Sequence, residues 1–142
     1  MSEQNKALLR RWFEAWNARD LNAFDEIVAA DAAQHDPQDV VPGSSGPEKT
    51  KQLVQHYAGG FSDNRFEVAE LLADGDLVAA RWTVTGTNDG SLMGMPPTGK
   101  AITLSGLTLA RVVDGKLAES WVNWDTLGML QQLGVIPAPQ PA

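Results

Sequence analysis

Four residues near the end of the chain are spaced to act together: Glu119, Trp121, Asn123 and Asp125. They alternate within Leu117–Asp125, which reads as a strand, and alternate strand residues share a face. Ala118, Ser120, Val122 and Trp124 take the opposite face. A carboxylate, an amide and an indole in one row form a polar cluster. Buried, such a cluster is costly unless satisfied, so it marks a structural network or an active site. The expectation is that this row faces inward. Asp125, partly desolvated at an inner strand end, would then suit general acid/base work. The Asn123 amide could orient a carbonyl or steady a developing oxyanion, and Trp121 could lie against a flat ligand. The competing reading makes Asp125 the N-cap of a following helix. Gly128, three residues on, cannot complete a capping box. For Asn123 and Trp121 the competing reading is satisfaction within the core.

His35 is the second candidate, because an imidazole exchanges protons near neutral pH. It sits in Gln34-His35-Asp36-Pro37, at the expected mouth of a cavity, where Asp36 could instead simply hold it. His56, inside a helix, reads as a surface residue. Asp63, Asp74, Asp76 and Asp114 read as turn residues. The chain has no His-x-x-x-His pair, phosphate-binding glycine loop or Gly-x-Ser-x-Gly elbow, and no cysteine. Metal, nucleotide and serine-triad chemistry have no support in its motifs, and no metal and no cofactor are expected.

The elements that must position these residues follow from periodicity. Residues 3–18 predict a helix with Leu8, Leu9, Trp12, Phe13 and Trp16 on one face. Trp12 and Trp16 are candidates to line a pocket as well as pack the core. Asp20 is placed to cap a second helix over 21–29. Residues 31–42 read as a short extended segment and a loop, because Pro37 keeps Asp36 out of helical geometry. A third helix spans about 47–60, with Pro47 in its first turn and Leu53, Val54 and Tyr57 on its apolar face. From residue 64 the period changes to two. Strands are expected over 65–73, 76–87, 100–113 and 116–125, joined in part by Asp-Gly turns. Trp82 lies on the apolar face of the second. The loop over 90–99 carries Leu92, Met93 and Met95, which suggest a pocket rim. A short helix over 126–133 closes the pattern.

Helices followed by an antiparallel meander give an α+β layout, with helices gathered on one sheet face. The 142 residues fit one domain, 1–137, with Ala-Pro-Gln-Pro-Ala at 138–142 as a disordered tail. The formal charge of −7 disfavours nucleic acid as a partner. No apolar run is long enough to span a membrane, and no signal-peptide core is present. A cysteine-free chain fits a cytoplasmic setting.

The chain resembles the SnoaL-like polyketide cyclases of the nuclear transport factor 2-like superfamily. The matching pieces are Trp12-Phe13-Glu14-Ala15-Trp16-Asn17 with Asp20-Leu21, His35-Asp36-Pro37 and Gly46-Pro47-Glu48, then Gly94-Met95-Pro96-Pro97-Thr98-Gly99-Lys100. Asp114-Gly115-Lys116-Leu117 and Trp124-Asp125 with Leu127-Gly128-Met129-Leu130-Gln131-Gln132-Leu133-Gly134 complete the series. The resemblance implies a cone-shaped α+β barrel, with N-terminal helices packed on a curved, mostly antiparallel sheet, and homodimers or homotetramers. It also implies a cofactor-independent aldol closure of a hydrophobic polyketide ester. The aspartate matching Asp125 would be the acid/base, with Asn123 and His35 in the pocket. Trp12, Trp16, Trp82, Met95 and Trp121 would be its walls. Two other enzyme readings use the same fold. One is a hydrolase needing a carboxylate pair and an arginine, for which Glu119 and Arg81 are the available partners of Asp125. The other is an oxygen-dependent hydroxylase. A small-ligand carrier or dimerising scaffold is the non-enzyme alternative, and the direction of Asp125 discriminates it.

The face of the last strand opposite Asp125, carrying Val122 and Trp124, would then be an apolar outer surface and a subunit interface.

Overall fold

The computed structural model describes residues 2–137; the tail expected over 138–142 lies outside them. Helix α1 (Ser2–Ala18) leads to a 3-10 turn (Leu21–Ala23), α2 (Phe24–Ile27) and β1 (Val28–His35). Then come α3 (Gly46–Gly60), β2 (Arg65–Asp74), β3 (Leu77–Thr87), β4 (Ala101–Val113), β5 (Lys116–Trp124) and α4 (Thr126–Gln132). The second helix is thus broken and short, and Asp20 makes no side-chain cap bond.

The sheet has five strands in the order β1-β5-β4-β3-β2. It is open, with β1 and β2 as its edges, and mixed, because β1 runs parallel to β5 while the other pairs are antiparallel. The strand β1 starts inside the span expected to be helical, 21–29, and takes in the beginning of the short extended segment expected over 31–42, whose place in the sheet was not foreseen. Its Val-Ala-Ala-Asp-Ala-Ala run is poor in the β-branched and aromatic residues that favour strands, and an irregularity between Val28 and Ala33 breaks its alternation. The two Asp-Gly turns behave as expected: Gly75, Asp114 and Gly115 all take positive φ.

The helix α1 lies across the concave face and buries Leu8, Leu9, Phe13, Ala15 and Trp16. Polar groups fix its C-terminal end. Asn17 exchanges two 2.8 Å hydrogen bonds with the Phe66 backbone, and the Trp16 indole N–H donates to Asn64 Oδ1 at 2.9 Å. Across the sheet Trp82 pairs with Gly106, and its indole N–H donates to Thr108 Oγ1 at 3.0 Å. Among the described residues the helices therefore cover one face of the sheet and leave the other uncovered. Leu92 from the long loop is buried in a second cluster with Phe61, Ile102, Leu104, Met129 and Leu133, so it supports the cavity from behind. No helix among the described residues is long and apolar enough to cross a membrane.

Candidate active site

The inner faces of the strands and the helices above them enclose roughly 1090 Å³ of atom-free space, open mouth included. Its depth is apolar, with Leu9, Phe13, Phe66, Trp82, Ala110 and Leu117 among the lining residues. Gln34, Asp36, Asp39, Lys49, Tyr57 and Ser120 supply most of its polar groups. The cavity therefore suits an amphiphilic ligand with a large flat or branched hydrocarbon part.

The β5 face is the reverse of the one expected. Ser120, Val122 and Trp124 line the cavity. In the parallel ladder Gln34 stands beside Ser120 and His35 beside Trp121. Trp121, His35 and Asn123 accordingly border a second cleft, which shares Gln34, Asp36, Asp39 and Val122 with the cavity lining. There the His35 ring stacks on Trp121 with centroids 5.4 Å apart, and His35 Nε2 lies 2.7 Å from Glu119 Oε2. Trp12, Trp16 and Trp82 are among the residues lining the cavity, and Met95 is not.

Asp125 is exposed and caps α4, accepting a 2.8 Å hydrogen bond from the Gly128 backbone N–H. Glycine suits that position because a Cβ on Gly128 would collide with the Asp125 carboxyl. The arrangement expected for a hydrolase is also absent. Arg81 pairs with Glu70 at 2.6 Å, while Glu119 is engaged by His35. Removing Asp125 should therefore act on stability: Asp125→Ala is expected to cost about 1 kcal/mol and leave ligand affinity unchanged, as paired thermal melts and binding titrations would show.

Two carboxyls lie on the cavity wall, Asp36 and Asp39, and Asp36 is the one whose pKa is raised. Its Oδ1 accepts a 2.9 Å hydrogen bond from the Gln38 backbone N–H across Pro37, a local turn that fixes its aim. Burial is the main cause raising its pKa above the ordinary 3.8. The Gln38 N–H opposes that rise, the Asp39 charge adds to it, and Lys49 and the Trp124 side chain oppose it. Lys49 is 4% exposed, with its ammonium 2.6 Å from Asp39 Oδ2. Hydrogen bonding from Lys49 is the leading reason the Asp39 pKa lies below the ordinary range. One carboxylate is thus held ionised by a buried cation while its neighbour is poised to take up a proton.

Tyr57 completes the polar end. Burial, reinforced by the Asp36 and Asp39 charges, keeps its phenol protonated well beyond the usual range. Its hydroxyl is shut from solvent and has no partner among the described residues. His56 is half-buried, not a surface residue, and its ring meets Tyr57 edge-on at 4.8 Å. Sequence reasoning passed over Asp36, Lys49 and Tyr57. The available clue was the helical spacing of Lys49, Leu53 and Tyr57, which puts a cation on an apolar face. Among the described residues no group of three or more His, Asp or Glu side chains is placed to hold a metal ion.

Comparison with known proteins agrees with this architecture. The model of the SnoaL-like polyketide cyclase family matches residues 6–133. The chain is 31% identical to the aklanonic acid methyl ester cyclase of Streptomyces peucetius, covering 94% of this chain and 92% of that one. It superposes on AclR of Streptomyces galilaeus, for which a hydroxylase activity has been suggested, with a TM-score of 0.85 and 29% identity over 99% of this chain and 87% of that one. The TM-score with IdmH of Streptomyces antibioticus, a suggested polyketide cyclase, is 0.79, with 33% identity over 92% and 99% of the two chains. The chain belongs to the SnoaL-like polyketide cyclase family. Polyketide cyclase is the function that the family match and the cyclase relatives support.

Proposed function

We propose that the chain closes a ring within a hydrophobic polyketide ester of the aklanonic acid methyl ester kind, and that Asp36 is its acid/base. The carrying observation is a carboxyl with a raised pKa on the wall of an apolar cavity. The Asp36 carboxylate takes a proton from the carbon α to a carbonyl, and the C–H electron pair becomes that of the enolate. The enolate carbon attacks a second carbonyl of the same molecule, forming the C–C bond. The π pair of that carbonyl passes to its oxygen, which takes the proton back from Asp36. Atoms balance without a co-reactant, so one tuned carboxyl suffices. The apolar depth holds the chain folded with its reacting carbons close, and Lys49 keeps Asp39 from competing for the proton.

The test incubates wild type and Asp36→Asn with aklanonic acid methyl ester and reads product by mass and chromatography. The expected wild-type product is an isomer of the substrate, absent with the variant. Turnover by Asp36→Asn at the wild-type rate overturns the assignment. The likeness to AclR supports a second reading, oxygen insertion, and a product one oxygen atom heavier would identify it.

A homodimer or homotetramer in the cytoplasm completes the reading. The bare sheet face supports the assembly, though through residues other than Val122 and Trp124, which line the cavity. Leu107 and Leu109 are 58% and 38% exposed and stand beside Asn123 and Trp121. Light scattering is expected to show more than a monomer at micromolar concentration, and Leu107→Asp with Leu109→Asp should shift the mass to that of one chain.

A further inference from the structure

The unpartnered hydroxyl of Tyr57 needs a physical account. A buried polar group without a hydrogen bond is costly, and folded proteins retain few of them. Phenylalanine would preserve the packing, since only the ring meets Trp16 at 6.4 Å, Trp124 at 6.1 Å and His56 at 4.8 Å. The hydroxyl itself contributes nothing to these contacts. Tyr57 is one of the residues lining the cavity that Asp36 also lines, and its hydroxyl is the buried, unpartnered atom of that residue. The two groups come from different segments, Tyr57 from α3 and Asp36 from the residue just after β1, and no hydrogen bond joins them among those found between the described residues. A proton acceptor and an O–H donor thus share a water-poor cavity without satisfying one another. Asp36 and Asp39 carry the nearby charge, and His56 is the other titratable group against the ring. Burial and the two carboxylates oppose ionisation of the phenol, so it keeps the proton it would donate.

We propose that Tyr57 is the oxyanion donor of this site: its hydroxyl hydrogen-bonds the substrate carbonyl oxygen that becomes the enolate oxygen when Asp36 removes the α-proton. This rests on the reading of Asp36 as the base. The phenol keeps its proton throughout; only the α-proton moves, to Asp36, while the C–H pair delocalises onto the oxygen that Tyr57 holds. The ligand class so selected is an enolisable 1,3-dicarbonyl or its flat enol. A donor already in place acts more strongly where water is excluded.

Tyr57 is the only tyrosine of the chain, so growth on 3-fluorotyrosine puts a single fluorine probe at this phenol. The experiment has two arms. In the first, the ¹⁹F resonance is followed while benzoylacetone, an aromatic 1,3-diketone, is titrated in. It is expected to shift saturably. In the second, Tyr57→Phe is assayed on aklanonic acid methyl ester beside Asp36→Asn. Its kcat is expected to fall about 100- to 1000-fold, the usual loss for one oxyanion donor, with KM little changed and the melting midpoint not lowered. An unmoved resonance, or a Tyr57→Phe rate equal to wild type, overturns the proposal even where Asp36→Asn is dead. An active Asp36→Asn overturns the base assignment instead, and the fluorine shift still decides whether Tyr57 binds the enol oxygen. Should Tyr57→Phe fail to fold, the fluorine arm decides alone.

Discussion

Asp36→Asn is expected to lose about two to four orders of magnitude in kcat, the usual contribution of a general base, while becoming more stable at neutral pH. The gain follows from the sign of the pKa shift. A carboxyl whose folded pKa lies above its unfolded value binds protons more readily in the native state. Its ionised form therefore costs stability, fully above the raised value and not at all below the ordinary 3.8. As pH falls through that window the wild type recovers the loss. The melting midpoint of Asp36→Asn should thus exceed that of wild type at neutral pH, with the difference closing in acid. The asparagine retains the side-chain oxygen that accepts from the Gln38 N–H, so the turn survives. Activity has the opposite dependence. The wild-type kcat/KM should be flat near neutrality and fall as Asp36 takes up a proton, at a pH above that of an ordinary aspartate. Melts and pH–rate profiles of the two proteins check both halves. A variant that is dead and less stable at every pH would point to a structural carboxyl.

The contrast between Asp36 and Asp125 shows what could be read from the residues alone. Alternation correctly separated Glu119, Trp121 and Asn123 from Ser120, Val122 and Trp124, yet it carries no sign saying which set faces inward. Both faces hold a tryptophan, so hydrophobicity could not break the tie. Reading the polar set as a reactive cluster turns it inward, whereas the simpler rule puts charge outside. The register shift between Arg111 and Val112 on β4, opposite Glu119 and Leu117, further masks the inner face, because Leu117 and Ser120 both line the cavity despite their odd spacing. For Asp36 the obstacle lies one step earlier. Without β1 as a strand, no face could be given to Gln34 or Asp36, although parallel pairing beside Ser120 makes it plain. The first, third and last helices, the four antiparallel strands and the Asp-Gly turns were legible because each rests on local periodicity or φ preference, whereas the helix expected over 21–29 gives way to β1 at Val28. The site is assembled by a parallel pairing of distant segments, 28–35 with 117–121, which no local pattern records.

Gly106→Val should cost about 3–5 kcal/mol, a large share of the stability of an ordinary domain, because a Cβ at Gly106 would collide with the Trp82 ring. The pairing of Trp82 with Gly106 lets the indole lie back over the backbone of β4. A Cβ at 106 would stand 2.5 and 2.9 Å from Trp82 Cη2 and Cε2, and closer still to Cζ2. Overpacking of this kind costs about 1–3 kcal/mol by itself. A displaced ring would also give up the bond from its N–H to Thr108 Oγ1, and each buried group left unsatisfied adds about 1–3 kcal/mol. Trp82 is 4% exposed and packs against Phe66 and Phe13, so the only space open to it is the cavity. The functional consequence is therefore separable from the loss of stability. In Gly106→Ala, the milder variant, the folded fraction should have a smaller cavity and weaker affinity for large aromatic ligands than for small ones. Urea titrations of both variants, with binding of a small and a large aromatic ligand to Gly106→Ala, would check this. Equal affinity losses for the two ligands would mean that the ring had moved elsewhere.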